Sequence, residues 1–478
     1  MNALVIYNAH LVDETVSSFG AVVCVDGKIL AVLQGNYKNR KTAEDSAHAI
    51  LSENGFVDGD TVDFFDAEGL TLTPAFIDMH VHFRDPGLTE KEDLESGLRA
   101  AIAGGYGTVV AMPNTKPVVS SAEDALSLVS RAKKIDLCHF YQSVSITRDF
   151  LGTDISHLEA LDSSAVPLIT EDGHDVDSAN TMFEAMKTAS SKGMIVSCHC
   201  EDSSFAKAAT PHRKAALDLM EKYAIPVYGH NVDTGDVPED VREEIRAELL
   251  KANESLYIAE NIATMRNIEL ARMADCHIHI CHISTKEAID AVSYAKEISF
   301  DNETSSGNHN GFRVTAEATP HHIALSDEGA NIRALVNPPL RSECDRLALI
   351  EAIRNGTIDC IATDHAPHTF EDKKNGAPGF TGLECAYSVC NTVLVKSGEI
   401  SEQDLSRLMS AAPARILHLN KGVFRVGYDA DFALLDPNEK RVIHTKDFYS
   451  KGKATPFDGK TVFGGVKEVF IDGKKKAL

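Results

Sequence analysis

Short apolar runs alternate with longer amphipathic stretches through the central part of the chain. The runs have the length of buried β-strands, and the stretches between them, such as KEDLESGLRAAIAGG and AEDALSLVSRAKK, have helical periodicity. The strand-like runs are AFIDMHVHF, GTVVAMP, LCHFYQSVSI, AVPLIT, GMIVSCHC, CHIHICHIS, FRVTAEATP and IDCIATDHA. Eight β-then-α units of this kind predict a closed (β/α)8 barrel. A doubly wound open sheet is the competing arrangement, but no GxGxxG or Walker motif favours it.

The two ends of the chain differ from the centre, because both are rich in β-forming residues separated by turn residues. The N-terminal runs are ALVIYNAHLV, AVVCVDGKILAV and TVDFFDAEGLTL, and the C-terminal runs are YDADFALLDP, KRVIH and GGVKEVFIDGK. We therefore predict a small composite β-sandwich domain of residues 1–70 and 420–478. The remaining residues, 71–419, would form the barrel domain.

The net charge restricts the possible binding partners, and the cysteine content indicates the cellular compartment. The 478 residues carry 47 Lys and Arg against 71 Asp and Glu, a net charge of −24, which disfavours nucleic acids and anionic membranes as partners. No stretch approaches the ~20 apolar residues of a membrane span, and MNALVIYNAH lacks the basic and apolar regions of a secretory signal. The ten cysteines are scattered without a CxxC motif, which is typical of reduced thiols in a cytoplasmic protein.

Polar residues are concentrated where the predicted strands end. In a (β/α)8 barrel the chemistry lies at the C-terminal ends of the strands. The polar positions there are His80, His82, Asn114, Asp172, His199, His282, Asn337 and Asp364. Packing of a barrel wall does not explain why one apolar run after another ends on such a residue. We therefore predict the functional site at this end of the barrel.

The residue types at these positions indicate a metal site. His80 and His82 lie on one face of a strand, although two hydrogen-bonded core histidines are the alternative for an isolated HxH pair. Asp364 ends the apolar run IDCIATD, and a buried carboxylate needs a metal ion or another partner. Asp172 follows PLIT in an Asp-Gly sequence that taken alone would be a turn. The same alternation of faces predicts that His277 and His279 point away from the side on which His282 lies.

Four histidines and two carboxylates are more ligands than one four-coordinate zinc ion uses. They suit a pair of metal ions with a shared bridging group. Nitrogen and oxygen ligands without thiolate fit Zn²⁺, with Mn²⁺ or Co²⁺ as substitutes. We predict two zinc ions per subunit, held by His80, His82, Asp172, His199, His282 and Asp364.

At FIDMHVHFRDPG the sequence resembles the dihydroorotases, in their bacterial type I branch of the amidohydrolases. The resemblance continues through GGYGTVVAMPNTKPV, EDG, HCED, CHIST, EATPHH, NPPLR, ATDHAPH and GFTGLE, and covers residues 74 to 390. It implies a barrel with a composite small domain and a cytoplasmic homo-oligomer, most simply a dimer. The implied reaction is the reversible hydrolysis of (S)-dihydroorotate to N-carbamoyl-L-aspartate in pyrimidine biosynthesis.

The resemblance also implies roles for the predicted metal ligands. One zinc ion would be held by His80, His82 and Asp364, and the second by His199 and His282. Many amidohydrolases bridge the two ions with a carboxylated lysine after the fourth strand. This chain has no lysine between Lys134 and Lys187, and Asp172 stands at that point instead. The resemblance therefore implies an aspartate bridge, with Asp364 as the proton carrier of the reaction.

An anionic substrate needs a cationic group on so acidic a protein. Arg84 lies two residues after His82, which keeps it on the same face, and a guanidinium binds a carboxylate through two hydrogen bonds. A surface arginine without a ligand is the alternative. The resemblance implies that the substrate also contacts His82, Asn114, Asn337, His368 and the backbone of Pro378 and Gly379.

Two other functions share these features. Allantoinases, dihydropyrimidinases and hydantoinases have a similar barrel and similar histidines, but Arg84 and the missing lysine favour dihydroorotate. A non-enzymatic scaffold that has lost the chemistry would be expected to lack several ligands. The segment from Ser203 to Ile258 and the run NETSSGNHNG look like insertions, and we expect both to be surface elaborations, with a segment that covers the site as the alternative.

Overall fold

The computed structural model describes residues 1–57, 60–223, 237–306, 311–327 and 335–478. The first part of the chain contains five strands, and the predicted N-terminal runs overlap all five. These strands are β1 (Asn2–Val12), β2 (Ser17–Val25), β3 (Lys28–Gln34), β4 (Thr61–Asp66) and β5 (Thr71–Pro74).

A helix, α1 (Arg40–Glu53), interrupts this β-rich region, where the sequence predicts only short strands. Asn39 caps its start, since its side chain accepts a hydrogen bond from the backbone N–H of Lys41. The buried residues Ala43, Ala47 and Leu51 follow one another at four-residue intervals. This narrow apolar stripe packs against one face of the sheet, because alternation along the strands makes that face apolar as well.

The central part of the chain forms the predicted barrel. Its strand segments are β6 (Phe76–Val81), β7 (Tyr106–Ala111), β8 (His139–Gln142), β9 (Val144–Ser145), β10 (Leu168–Thr170), β11 (Ile195–Cys198), β12 (His277–Ile280), β13 (Arg313–Ala318) and β14 (Cys360–Ile361). Every pairing between neighbouring segments is parallel. All eight predicted runs contain a strand, and the third contains two, β8 and β9.

The third predicted run, LCHFYQSVSI, connects the two halves of the barrel. Its first half, β8, pairs with β7, and its second half, β9, pairs with β10. Between them, Ser143 donates hydrogen bonds to the Ala111 carbonyl from its backbone N at 3.0 Å and from its Oγ at 2.7 Å. On the other side, Val81 and His365 form a parallel bridge, and the His82 N–H donates to the His365 carbonyl at 2.8 Å. The sheet is therefore closed, which confirms the barrel.

Helices follow the barrel strands and cover them from outside. Their bounds are α2 (Leu94–Ala103), α3 (Ala122–Ile135), α4 (Ala179–Lys192), α5 (Ser203–Lys222), α6 (Glu239–Ala274), α7 (Lys286–Ser306), α8 (Pro320–Ala324), α9 (Glu343–Asn355), α10 (Phe370–Lys374), α11 (Leu383–Cys390), α12 (Glu402–Ser406) and α13 (Ala412–Ile416). None of the helices in the described part of the chain has the length and apolar character of a membrane span. The predicted insertions fall on α5, α6 and the end of α7, and residues 224–236 and 307–310 lie outside the described residues.

The C-terminal strands return to the N-terminal ones. They are β15 (Phe432–Val442), β16 (Thr461–Ile471) and β17 (Lys474–Lys475), and β15 overlaps both the YDADFALLDP and KRVIH runs. One eight-stranded sheet results, in the order β17-β16-β15-β5-β1-β2-β3, with β4 beside β1. Strands from both termini thus share one sheet. In the N-terminal part of the chain, the last residue of this sheet is Pro74, at the end of β5. The domain boundaries at residues 70 and 420 stay a prediction.

Candidate metal centre

The fold brings the six predicted metal ligands together at one end of the barrel, with Asp172 in the middle. His80 Nε2 lies 3.2 Å from Asp172 Oδ1, and His82 Nε2 lies 3.5 Å from Asp172 Oδ2. His199 Nδ1 and His282 Nε2 lie 3.6 Å and 4.0 Å from Asp172 Oδ1. One carboxylate therefore faces all four imidazoles, which is the position that a bridging ligand must occupy.

The remaining contacts divide the ligands into two groups on either side of Asp172. Asp364 Oδ1 lies 3.0 Å from His82 Nε2 and 3.6 Å from His80 Nε2. On the other side, His199 Nδ1 lies 2.9 Å from His282 Nε2. The groupings match the two sets that the sequence resemblance implies.

The chemistry of this cluster fits divalent metal ions. All six side chains are at most 5% exposed. His80 Nε2 and Asp172 Oδ1 face each other, yet both are buried atoms without a hydrogen-bond partner in the part of the chain that the structure describes. A buried polar atom without a partner is costly unless something else satisfies it. Imidazole nitrogens and carboxylate oxygens that converge in this way form the donor set of a two-metal site.

The backbone turns sharply at two of these positions. His282 has a φ of 30° and Asp364 a φ of 47°, both in the left-handed region. Because β12 ends at Ile280, strand alternation does not extend to His282, and the predicted opposite facing of His279 and His282 is wrong. Both side chains point into the barrel, and His279 bonds through its Nε2 to Glu317 at 3.0 Å.

Glu317, on β13, is a member of this site that sequence reasoning missed. Its carboxylate accepts hydrogen bonds from His80 Nδ1 at 2.8 Å and from the His282 backbone N–H at 3.2 Å. A carboxylate on the far nitrogen of a metal-binding histidine fixes its tautomer and orientation. The signal in the sequence is a glutamate inside the apolar run RVTAEA, since a buried carboxylate needs partners.

Neighbouring charges keep the central carboxylates ionised. Burial alone would raise the pKa of Asp364, but the hydrogen bond from His82 and the charge of His80 outweigh it and hold the pKa at about 2. Burial would likewise raise the pKa of Asp172, and His80 and His82 hold it well below its usual range. Both carboxylates can therefore act as metal ligands or proton acceptors at neutral pH.

Arg84 lies close enough to this cluster to interact with the charges of Asp364 and Asp172, and it is buried, at 9% exposed. This excludes the surface arginine that the sequence left open. Its Nε donates to the Pro367 carbonyl at 3.2 Å, and its Nη2 lies 3.3 Å from His368 Nε2. His368 Nε2 in turn donates to the Pro378 carbonyl at 2.9 Å. Burial and the charge of Arg84 lower the pKa of His368 to about 3, so Arg84 is the cation of this group.

Asn114 and Asn337, which are both predicted to contact the substrate, have different surroundings. Asn114 joins two metal ligands, since its Oδ1 accepts from His82 Nδ1 at 2.9 Å and its Nδ2 donates to Asp172 Oδ2 at 3.1 Å. Asn337 has a buried Oδ1 with no hydrogen-bond partner among the described residues. Its loop is tied to the Pro378 loop, because the Gly379 N–H donates to the Leu335 carbonyl at 3.0 Å.

Known proteins with similar sequences and folds agree with this description. The model of the amidohydrolase family matches residues 71–476. A curated dihydroorotase of Clostridium botulinum is 37% identical over 99% of this chain and 99% of its own length. The dihydroorotase of Bacillus subtilis is 38% identical over 87% of this chain and 89% of its own length.

Among solved structures, the L-hydantoinase (dihydropyrimidinase) from Arthrobacter aurescens matches with a TM-score of 0.77 at 22% identity, covering 99% of this chain and 96% of its own. The dihydropyrimidinase from Brevibacillus agri matches with a TM-score of 0.74 at 20% identity, covering 99% and 94%. These likenesses show the fold alone. The family match and the full-length relatives establish that this chain belongs to the amidohydrolase family, where its sequence groups with the dihydroorotases.

Proposed function

We propose that this protein is a metal-dependent dihydroorotase, which opens the ring of (S)-dihydroorotate to N-carbamoyl-L-aspartate and catalyses the reverse reaction in pyrimidine biosynthesis. The observation that carries the proposal is the buried Arg84 beside an aspartate surrounded by four histidines. The histidine cluster supports hydrolysis of an amide, and Arg84 supports a substrate with a carboxylate. The relatives named as dihydroorotases support the same substrate.

The ligand set supports two metal ions that share Asp172. His80, His82 and Asp364 would hold one ion, and His199 and His282 the other. Such ions would supply Lewis-acid polarisation of the scissile carbonyl and would acidify the attacking water. Zinc is the metal we propose, because the donors are nitrogen and oxygen atoms without thiolate.

Asp364 is the residue that we assign to proton transfer. Its low pKa leaves it ionised, so it can accept the proton that the attacking water loses. The water oxygen bonds to the carbonyl carbon as the C=O π bond opens, and Asp364 takes one proton from the water. When this adduct collapses, the C=O bond re-forms, the proton passes from Asp364 to the ring nitrogen and the ring C–N bond breaks. The nitrogen becomes the NH2 of the carbamoyl group, and the new carboxyl group loses its proton to solvent. His82 Nε2, 3.0 Å away, orients the carboxylate for both transfers.

Arg84 is the residue that we assign to the substrate carboxylate. Its guanidinium is anchored at one edge by the Pro367 carbonyl, which leaves the other edge for a ligand. Asn114 and His368 complete the carboxylate site, and His82 lies beside it. Asn337 would hydrogen-bond the amide edge of the ring through its unpartnered Oδ1 or its amide nitrogen. The backbone at Pro378 and Gly379 would close over the ring.

The test is an assay of the purified protein on dihydroorotate, allantoin and dihydrouracil. We expect turnover of dihydroorotate and, in reverse, cyclisation of N-carbamoyl-L-aspartate. Turnover of allantoin or dihydrouracil alone would place the chain with the other cyclic amidases. Metal content separates an enzyme from a scaffold, since less than about one ion per chain without chelator treatment would contradict a two-metal site. The homodimer and the cytoplasmic location also stay proposals, which rest on the sequence.

A further inference from the structure

A lysine near the proposed substrate site is buried, and among the described residues it has no acidic partner of its own. Lys373, in α10, is 1% exposed. The neighbouring carboxylate of Asp372 is engaged elsewhere, by the Thr369 hydroxyl at 2.7 Å and by Lys91 at 3.2 Å. A buried ammonium is costly unless hydrogen bonds compensate it. The groups that Lys373 contacts should therefore show why the charge is there.

Lys373 Nζ donates to three backbone carbonyl groups: Ala377 at 2.6 Å, Gly379 at 2.9 Å and Leu335 at 3.4 Å. Ala377 and Gly379 flank Pro378 in one loop, and Leu335 lies two residues before Asn337 in another. Hydrogen bonds from a charged donor are about twice as strong as neutral ones. The single ammonium therefore connects the two loops that carry the proposed ring-binding groups.

Helix α5 strengthens the same connection. Arg213, on α5, donates through its Nη2 to the Val336 carbonyl at 3.3 Å. A Cβ atom at Gly376 would collide with Leu217 of α5, so the helix packs closely against the Pro378 loop. Part of the long segment after β11 is thus packed on the candidate site and is not only the surface elaboration that the sequence predicts.

We propose that Lys373 is a positioning residue, whose ammonium holds the Asn337 loop against the Pro378 loop and so shapes the pocket that receives the substrate ring. This inference rests on the proposed function, because the pocket is that of the dihydroorotate ring. Lys373 does not touch the reacting atoms. It acts on binding through Asn337, Pro378 and Gly379.

The charge on Lys373 should control how firmly the loops are held. The charged ammonium has three N–H donors for three carbonyl groups, and the neutral amine has two. Burial and then the charge of Arg213 lower the pKa of Lys373, Asp372 opposes both, and the pKa that results is about 7. Because the charged form holds the loops, the affinity for substrate should be highest at a pH below this pKa and should fall as the pH rises through it.

The experiment compares Lys373→Met with Lys374→Met, its exposed neighbour on the same helix. We expect Lys373→Met to raise KM for dihydroorotate at least about tenfold, because that is the effect of losing one charge-assisted hydrogen bond. The value of kcat should change less than about threefold. Lys374→Met should match the wild type in both constants. A KM for Lys373→Met within about twofold of the wild type would overturn the proposal.

The pH profile of KM gives a second test that does not depend on the variant folding well. In the wild type and in Lys374→Met, KM should rise above a pH of about 7, and in Lys373→Met it should be high and independent of pH. A wild-type KM that stays flat from about pH 6 to 9 would contradict the inference. A wild type that turns over another cyclic amide but not dihydroorotate would instead refute the proposed function, so the two failures are distinguishable.

Discussion

Replacing Glu317 is expected to weaken metal binding, although Glu317 is not among the proposed ligands. Its carboxylate accepts three hydrogen bonds, from His80 Nδ1, His279 Nε2 and the backbone N–H of His282, at 2.8 Å, 3.0 Å and 3.2 Å. The first bond places the proton of His80 on Nδ1, which leaves Nε2 free to face Asp172. Glu317 therefore sets both the tautomer and the direction of a proposed ligand.

The expected loss of metal affinity and of stability follows from the groups that Glu317→Ala leaves without a partner. Loss of such an outer partner costs about 10–100-fold in metal affinity or activity. The ring donors of His80 and His279 would also remain buried without an acceptor, at about 1–3 kcal/mol each. We therefore expect metal affinity to fall by one to two orders of magnitude, and the free energy of unfolding to fall by a few kcal/mol.

Glu317→Gln is the matched control, because it keeps the shape and removes the charge. Its amide oxygen can still accept from His80 and His282. Its amide nitrogen can face His279 Nε2, because His279 Nδ1 can donate instead to Thr315 Oγ1, which lies 2.9 Å away. We expect Glu317→Gln to retain more metal and more stability than Glu317→Ala.

The assay is metal content and dihydroorotate turnover over a range of buffered free zinc, with thermal unfolding of the metal-free proteins measured in parallel. Glu317→Ala should need more zinc for half-maximal activity than Glu317→Gln, and Glu317→Gln more than the wild type. Wild-type zinc affinity in Glu317→Ala would refute the reasoning, because the hydrogen bond to His80 would then have no effect on the site.

Three further predictions concern single side chains. Arg84→Ala should raise KM for dihydroorotate more than KM for a neutral cyclic amide, and equal losses on both substrates would count against a carboxylate partner. Asp364→Asn should keep the fold, checked by circular dichroism, and lose most turnover; near wild-type rates would contradict its role in proton transfer. Burial would lower the pKa of His139, but Asp431 and Asp472 outweigh it and raise the pKa to about 9. The resulting stabilisation, about 1–2 kcal/mol after allowance for solvent exposure, should be present below the unfolded pKa of about 6.5 and lost as the pH rises through 9. A stability difference between wild type and His139→Gln that does not shrink from about pH 6 to 10 would contradict this ion pair.

The barrel could be predicted because its strands are buried on both faces. Such strands appear as nearly continuous apolar runs, and all eight runs contain strands in the structure. Helix α1 could not be predicted in the same way. Its apolar stripe consists mainly of the small residues Ala43 and Ala47, which give little contrast with the polar residues around them. Only its packing against the sheet makes the helix evident.

The convergence of the proposed metal ligands could be predicted from strand ends, but their surroundings could not. Alternation correctly puts His80 and His82 on one face, since both lie in or next to β6. It fails at His282, because the chain has already left the strand and turned. Strand alternation therefore holds only as far as the strand itself.

Glu317 and Lys373 are missed for a different reason. Each acts through partners that are remote in sequence, namely His80 for Glu317 and the Leu335 carbonyl for Lys373. The glutamate inside the apolar run RVTAEA indicates that a partner is needed but not which residue it is, and a lysine in a short helix carries no such signal. Their roles become visible only when the fold brings the loops together.

The most direct test of the account is anomalous diffraction at the zinc edge from crystals of the protein with dihydroorotate bound. We predict two zinc ions about 3.5–4 Å apart, with Asp172 between them and Arg84 on the carboxylate of the substrate. A single ion, ions away from Asp172, or a carboxylated lysine as the bridge would contradict it.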